Sequence, residues 1–186
     1  MDERAAPPIS SVEKYPARDI VFGGLFLALA VVVPYLFHMV GAGKAGSVFL
    51  PMLLPIAMCG FLTGARVAVV VGITAPLVSS LLTGMPPMYP PIALIMCGEG
   101  MILGGLTSVL YRKVKLNVWI SLATATASDR LFVAFAMLVL SRWLSLPEQL
   151  FSWGAVLHGL PGVALQFAII PATVKLLEKR IGGVRH

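Results

Sequence analysis

Six stretches of this chain, 20–40, 48–64, 67–83, 92–111, 118–140 and 155–174, are long and apolar enough to lie in a lipid bilayer. A helix needs about 20 residues to cross the hydrocarbon core, with about 17 as the lower limit. Backbone amides in lipid find no water, so a spanning segment must satisfy them within itself as a helix. The alternative, a closed barrel, needs strands of alternating polarity, and that alternation is missing. The expected fold class is all-α integral membrane, a single six-transmembrane-helix bundle. Residues 20–180 would form the membrane domain, with 1–19 and 181–186 as cytoplasmic tails.

Composition agrees with lipid as the solvent. The chain of 186 residues is 58% hydrophobic and only 12% charged, far less charged than a soluble domain. Its net charge of +6 does not suggest nucleic acid, because the basic residues collect between apolar spans and not in a patch among aromatics. Residues 1–19 are polar and lack the apolar core of a signal peptide. Cys59 and Cys97 lie inside apolar runs without metal-like or redox-like spacing, and read as small buried hydrophobes.

Orientation follows from the fourteen Lys and Arg residues. With both termini in the cytoplasm, only Lys44 and Arg142 fall outside, and Arg130 falls within a span. That asymmetry is what the positive-inside rule demands. The Gly/Ala loop 41–47, the Pro-rich loop 84–91 and the segment 141–154 then face outward. Ala65-Arg66 is the expected connection between spans two and three.

Charges at membrane depth are costly and mark functional sites by default. This chain has three: Glu99 in span four, and the adjacent Asp129 and Arg130 in span five. From the helical rise, Glu99 lies about 10 Å below the outer end of its span, Arg130 about 15 Å and Gln166 of span six about 16 Å. His158 lies nearer the mouth, with Tyr89, Met85, Met88 and Trp153 in the outer loops. The expectation is an outward pocket, polar at its floor and aromatic at its rim. Two readings of Glu99 and Arg130 stand together: ligand contacts, or a pair that neutralises itself and fixes packing. Asp129 reads as the internal partner of Arg130, as a helix cap or as a ligand group. In span one Gly23, Gly24, Ala28 and Ala30 form a small-residue strip, and Gly24-x-x-x-Ala28 permits close helix approach.

Enzyme motifs are missing: there is no His-Glu-x-x-His, no Gly-x-Ser-x-Gly and no Walker A loop. No catalytic residue, metal site or cofactor is expected. A rival to a binding subunit is an ion- or proton-coupled carrier titrating Glu99 and Asp129. It would predict internal repeats, and the two halves show no convincing match.

The order of motifs resembles the substrate-binding S components of energy-coupling factor (ECF) vitamin transporters. Carrying the resemblance are Pro34-Tyr35-Leu36-Phe37-His38, Phe49-Leu50-Pro51-Met52-Leu53-Leu54-Pro55 and Gly60-Phe61-Leu62-Thr63-Gly64. The run Gly72-Ile73-Thr74-Ala75-Pro76-Leu77 continuing to Thr83-Gly84-Met85-Pro86-Pro87 is the most specific. Glu99 with Gly104-Gly105, Arg130, and Gly159-Leu160-Pro161-Gly162 support it. Many relatives carry His where this chain has Leu53, and that residue's role is not carried over. The resemblance implies a prokaryotic cell-membrane protein that captures a small water-soluble vitamin or precursor. Its partners would be a transmembrane T component and two ATPases that hydrolyse the ATP. It places substrate contacts at Glu99, Arg130, Gln166, His158 and Tyr89, and T-component contacts at Gly24 and Ala28. Arg130 would suit a ligand carboxylate; within the family pantothenate comes first among substrates, with folate, niacin or a queuosine precursor following.

Overall fold

Without side-chain alternation or turn chemistry to interrupt them, the apolar runs fold as helices close to the expected positions. The computed structural model describes residues 17–39, 51–89, 91–144 and 159–181. Among these residues there are six α-helices and no strand: α1 (Ala17–Met39), α2 (Leu53–Leu62), α3 (Ala65–Thr83), α4 (Ile92–Ser108), α5 (Val118–Leu144) and α6 (Leu160–Ile181). All but α2 are long and apolar enough to cross a membrane. Helix α2 has 10 residues, about 15 Å of rise, so within the described residues the expected second span is only partly helical. Its first expected residues, 48–50, lie outside the described set.

Boundaries moved where a specific contact decided them. Ala65 and Arg66 belong to the first turn of α3, and the turn between α2 and α3 is Thr63-Gly64. Both turn residues are extended, and the Gly64 amide donates to the Asp19 carboxylate at 2.6 Å. Helix α1 begins at Ala17, so Asp19 is a buried helical residue and not part of a tail. Helix α3 stops at Gly84, whose left-handed φ of 72° favours glycine. Its amide still bonds Ser80 O at 3.0 Å, before the proline run that cannot propagate a helix. At its other end α4 widens into a π turn, Val109–Lys113.

Helix α4 is the centre, packed against α2, α3 and α5; α1 lies on α2 and α3, and α6 on α2 and α5. Glycines set these distances. A Cβ at Gly72 would strike the Gly100 carbonyl, and one at Gly100 would strike the Gly72 carbonyl. Helices α3 and α4 therefore touch backbone to backbone, the close approach that small residues give in lipid. Gly60 meets the Gly104 carbonyl in the same way and brings α2 onto α4. Around this seam lies an apolar core that includes Leu53, Ile56, Phe61, Leu103, Tyr111, Leu122 and Ile170. Phe61 and Tyr111 pack edge to face with centroids 5.0 Å apart. Large apolar side chains also cover the outside, among them Val21, Leu25, Leu81, Leu94, Leu131 and Phe135. Such a surface suits lipid and would aggregate in water.

The small-residue strip of α1 divides between two faces. Gly23 and Ala30 face inward: a Cβ at Gly23 would lie 2.6 Å from a Val67 methyl, and Ala30 is fully buried. Gly24 and Ala28 are exposed, and a Cβ at Gly24 would meet nothing within 4 Å.

Candidate functional site

Helix α5 turns a helically spaced stripe inward: Leu122, Ala125, Thr126, Asp129, Val133 and Ala136. Asp129 is part of that stripe, only 1% exposed, and faces a neighbour that carries Glu99, 6% exposed. Arg130 is next along the chain and points about 100° away around the helix, but its side chain is long enough to fold back. Its Nε donates to Asp129 Oδ2 at 3.1 Å and its Nη2 to the same oxygen at 2.7 Å. The Nη2 group also reaches Glu99 Oε1 across the helix seam at 3.5 Å. Of the roles open to Asp129 in the sequence, the structure realises that of internal partner to Arg130.

Two carboxylates therefore share one guanidinium in an apolar surround. Isolated charges there are strongly unfavourable, and pairing with hydrogen bonds offsets that cost. The offset is incomplete among the described residues, where Asp129 Oδ1 is buried with no hydrogen-bond partner, as is Thr126 Oγ1 one turn earlier. Beside the cluster, the Phe132 ring occupies the space a side chain at Gly98 would take. Phe132 and Thr126 escaped the sequence reading, because a Phe or Thr in an apolar span carries no positional signal.

The other expected site residues that the structure describes are not hydrogen-bonded to this trio. Gln166 is 2% exposed on α6, and no hydrogen bond joins it to Glu99, Asp129 or Arg130. Its neighbour Phe167 packs on Trp119, with ring centroids 6.3 Å apart. Trp119 lies near the start of α5, about 16 Å along the helix from Arg130. Tyr89 is 77% exposed in the loop after α3. That loop is organised by Ser79 Oγ and Thr83 Oγ1, which donate to Met85 O at 2.7 and 3.1 Å. His158 and Trp153 lie outside the described residues. Cys59 and Cys97 are free and buried, as expected.

A second polar cluster ties one end of the bundle. Asp19 of α1 accepts from Gly64 N, and Arg112 at the end of α4 lies 3.9 Å from the same Asp19 oxygen. Arg112 Nη1 also donates to Leu62 O at 3.1 Å, and Ser108 Oγ to Thr63 O at 2.8 Å. A carboxylate at the first turn of α3 complements the partial positive charge of a helix N-terminus. No local sequence signal announces this clamp, because its partners are 45 and 50 residues apart.

Beside the clamp a groove of about 410 Å³ opens between α1 and α3, lined mainly by apolar side chains together with Gly23 and Gly24.

A family model described as "ECF transporter, substrate-specific component" matches residues 18–174, nearly the whole described chain. No curated protein and no solved structure matches the chain significantly.

Proposed function

Since this chain belongs to the family of substrate-specific components of ECF transporters, we propose that it captures a small water-soluble vitamin or vitamin precursor at the outer face of a prokaryotic cell membrane. A multi-pass helical membrane protein of this family works, as its relatives do, with a T component and ATPases. In this reading the termini and the Asp19–Arg112 clamp face the cytoplasm, and the loop carrying Tyr89 faces outward. ATP is hydrolysed by the partner subunits.

The observation that carries the reading is the buried trio of Glu99, Asp129 and Arg130 between α4 and α5. A bundle that needed only to fold would gain as much from apolar residues there. Keeping three ionisable groups in lipid suits a site that must recognise a polar solute. Gln166, His158 and Tyr89 complete the proposed set of substrate contacts. The exposed face of α1 with Gly24 and Ala28 is the proposed seat of the T component, because small residues permit close approach and, among the described residues, a Cβ at Gly24 would meet nothing within 4 Å.

Reconstitution tests this directly. In liposomes the chain alone should bind substrate without accumulating it, and adding the T component, the ATPases and ATP should produce uptake. Robust gradient-driven uptake by the lone chain would refute the reading and favour a carrier that titrates Glu99 and Asp129.

A further inference from the structure

We propose, resting on the capture reading above, that the ligand meets the α4–α5 cluster with a cationic or donor-rich nitrogen group and not with a carboxylate. The charge count comes first: Glu99 and Asp129 both lie against the single guanidinium of Arg130. The trio therefore sets two carboxyl groups against one cation, and a donor group on the ligand complements it better than a further acid.

Geometry points the same way. The Nε–Nη2 edge of Arg130, one of the two edges that can grip a carboxylate, is held by Asp129 Oδ2 at 3.1 and 2.7 Å, and Nη2 also leans on Glu99 at 3.5 Å. A carboxylate ligand would be left the Nη1 side and would lie beside two other carboxyl groups in a medium of low dielectric.

The unused hydrogen-bonding capacity is that of an acceptor. Asp129 Oδ1 has no partner although its residue is 1% exposed. It belongs to the same carboxylate whose Oδ2 holds Arg130. An ionised carboxylate can only accept, so the group that satisfies it must donate. Thr126 Oγ1, also buried and unpartnered, adds a second contact one turn away. Phe132, whose ring tip abuts Gly98 next to Glu99, brings an aromatic ring near the cluster, which suits a flat cationic or amino-substituted ligand. The ligand class is thus a small amine, amidine or amino-heterocycle. A ligand recognised through its carboxylate ranks behind this class.

The test uses the full chain, purified gently in mild detergent. Native mass spectrometry identifies any small molecule that stays bound. Equilibrium dialysis then compares two cationic probes, 7-aminomethyl-7-deazaguanine and thiamine, with two anionic ones, pantothenate and nicotinate. The expected result is retention of a molecule or probe with a basic nitrogen and no acid group. Asp129→Asn and Glu99→Gln should each weaken that binding by about tenfold, the effect of one charge-assisted hydrogen bond. Either variant suffices if the other does not fold. Retention of a carboxylate overturns the charge assignment and leaves the capture reading standing. Cation binding that neither variant weakens overturns the placement of the nitrogen group at this cluster. A chain that retains no small molecule and none of the four probes overturns both.

Discussion

Replacing Arg130 by methionine removes the cation that lies between Glu99 and Asp129 while keeping most of the apolar stem. Both carboxylates are at least nine-tenths buried, so neither can turn to water without moving a helix. Breaking a buried pair from one side costs about 3–5 kcal/mol, because the remaining charge is uncompensated. Arg130→Lys keeps the charge but cannot reproduce the Nε and Nη2 contacts on Asp129 together. Losing one charge-assisted hydrogen bond costs about 1.5–3 kcal/mol. The expected order of stability is wild type, then Arg130→Lys, then Arg130→Met. Neutralising the whole trio, Glu99→Gln with Asp129→Asn and Arg130→Met, should recover much of the loss, since a buried ion pair adds little net stability over neutral packing. The same triple variant should capture no substrate. Unfolding in a graded titration of denaturing detergent gives the order, and ligand binding on the same preparations gives the function. An Arg130→Met protein as stable as wild type would refute the view that the trio is electrically coupled. A triple variant that still binds would remove the trio from the site.

Three further outcomes follow from particular contacts. Gly100→Ala should destabilise the bundle by about 1–3 kcal/mol, because its Cβ enters the Gly72 carbonyl and two packed backbones must separate; Gly24→Ala, which meets open space, should leave the same unfolding curve unchanged. Gly24→Leu or Ala28→Leu should lower ATP-driven uptake in the reconstituted complex while substrate affinity stays within a few fold, and normal uptake by both would show that the T component sits elsewhere. Asp19→Asn should weaken the clamp by about 1–2 kcal/mol through the lost charge at the start of α3, seen as faster amide exchange at Gly64 with exchange at Leu103 unaltered.

Helical class, the C-terminal end of α3 and the presence of charges at membrane depth were all legible in the sequence. Each depends on short-range physics: the need to satisfy backbone amides in lipid, the inability of Gly84 and the prolines after it to continue a helix, and the cost of charge in an apolar medium. The family resemblance was legible for a similar reason, as its most specific motif is a continuous run through α3 and its exit. The partners of those charges were not legible. That Arg130 turns its fork onto its own neighbour, leaving an Asp129 oxygen unmatched, depends on how α5 is rotated against α4. That rotation is set by contacts such as Phe132 over Gly98. Asp19 read as part of a polar tail until Gly64 and Arg112, distant in sequence, closed around it. The four small residues of α1 looked equivalent until packing on α2 and α3 took Gly23 and Ala30 inside and left Gly24 and Ala28 outside. Sequence fixes which side chains are present and how they are spaced along a helix. Only tertiary packing fixes the rotation and depth of one helix against another, and with them which polar atoms in the bilayer find partners and which remain for a ligand.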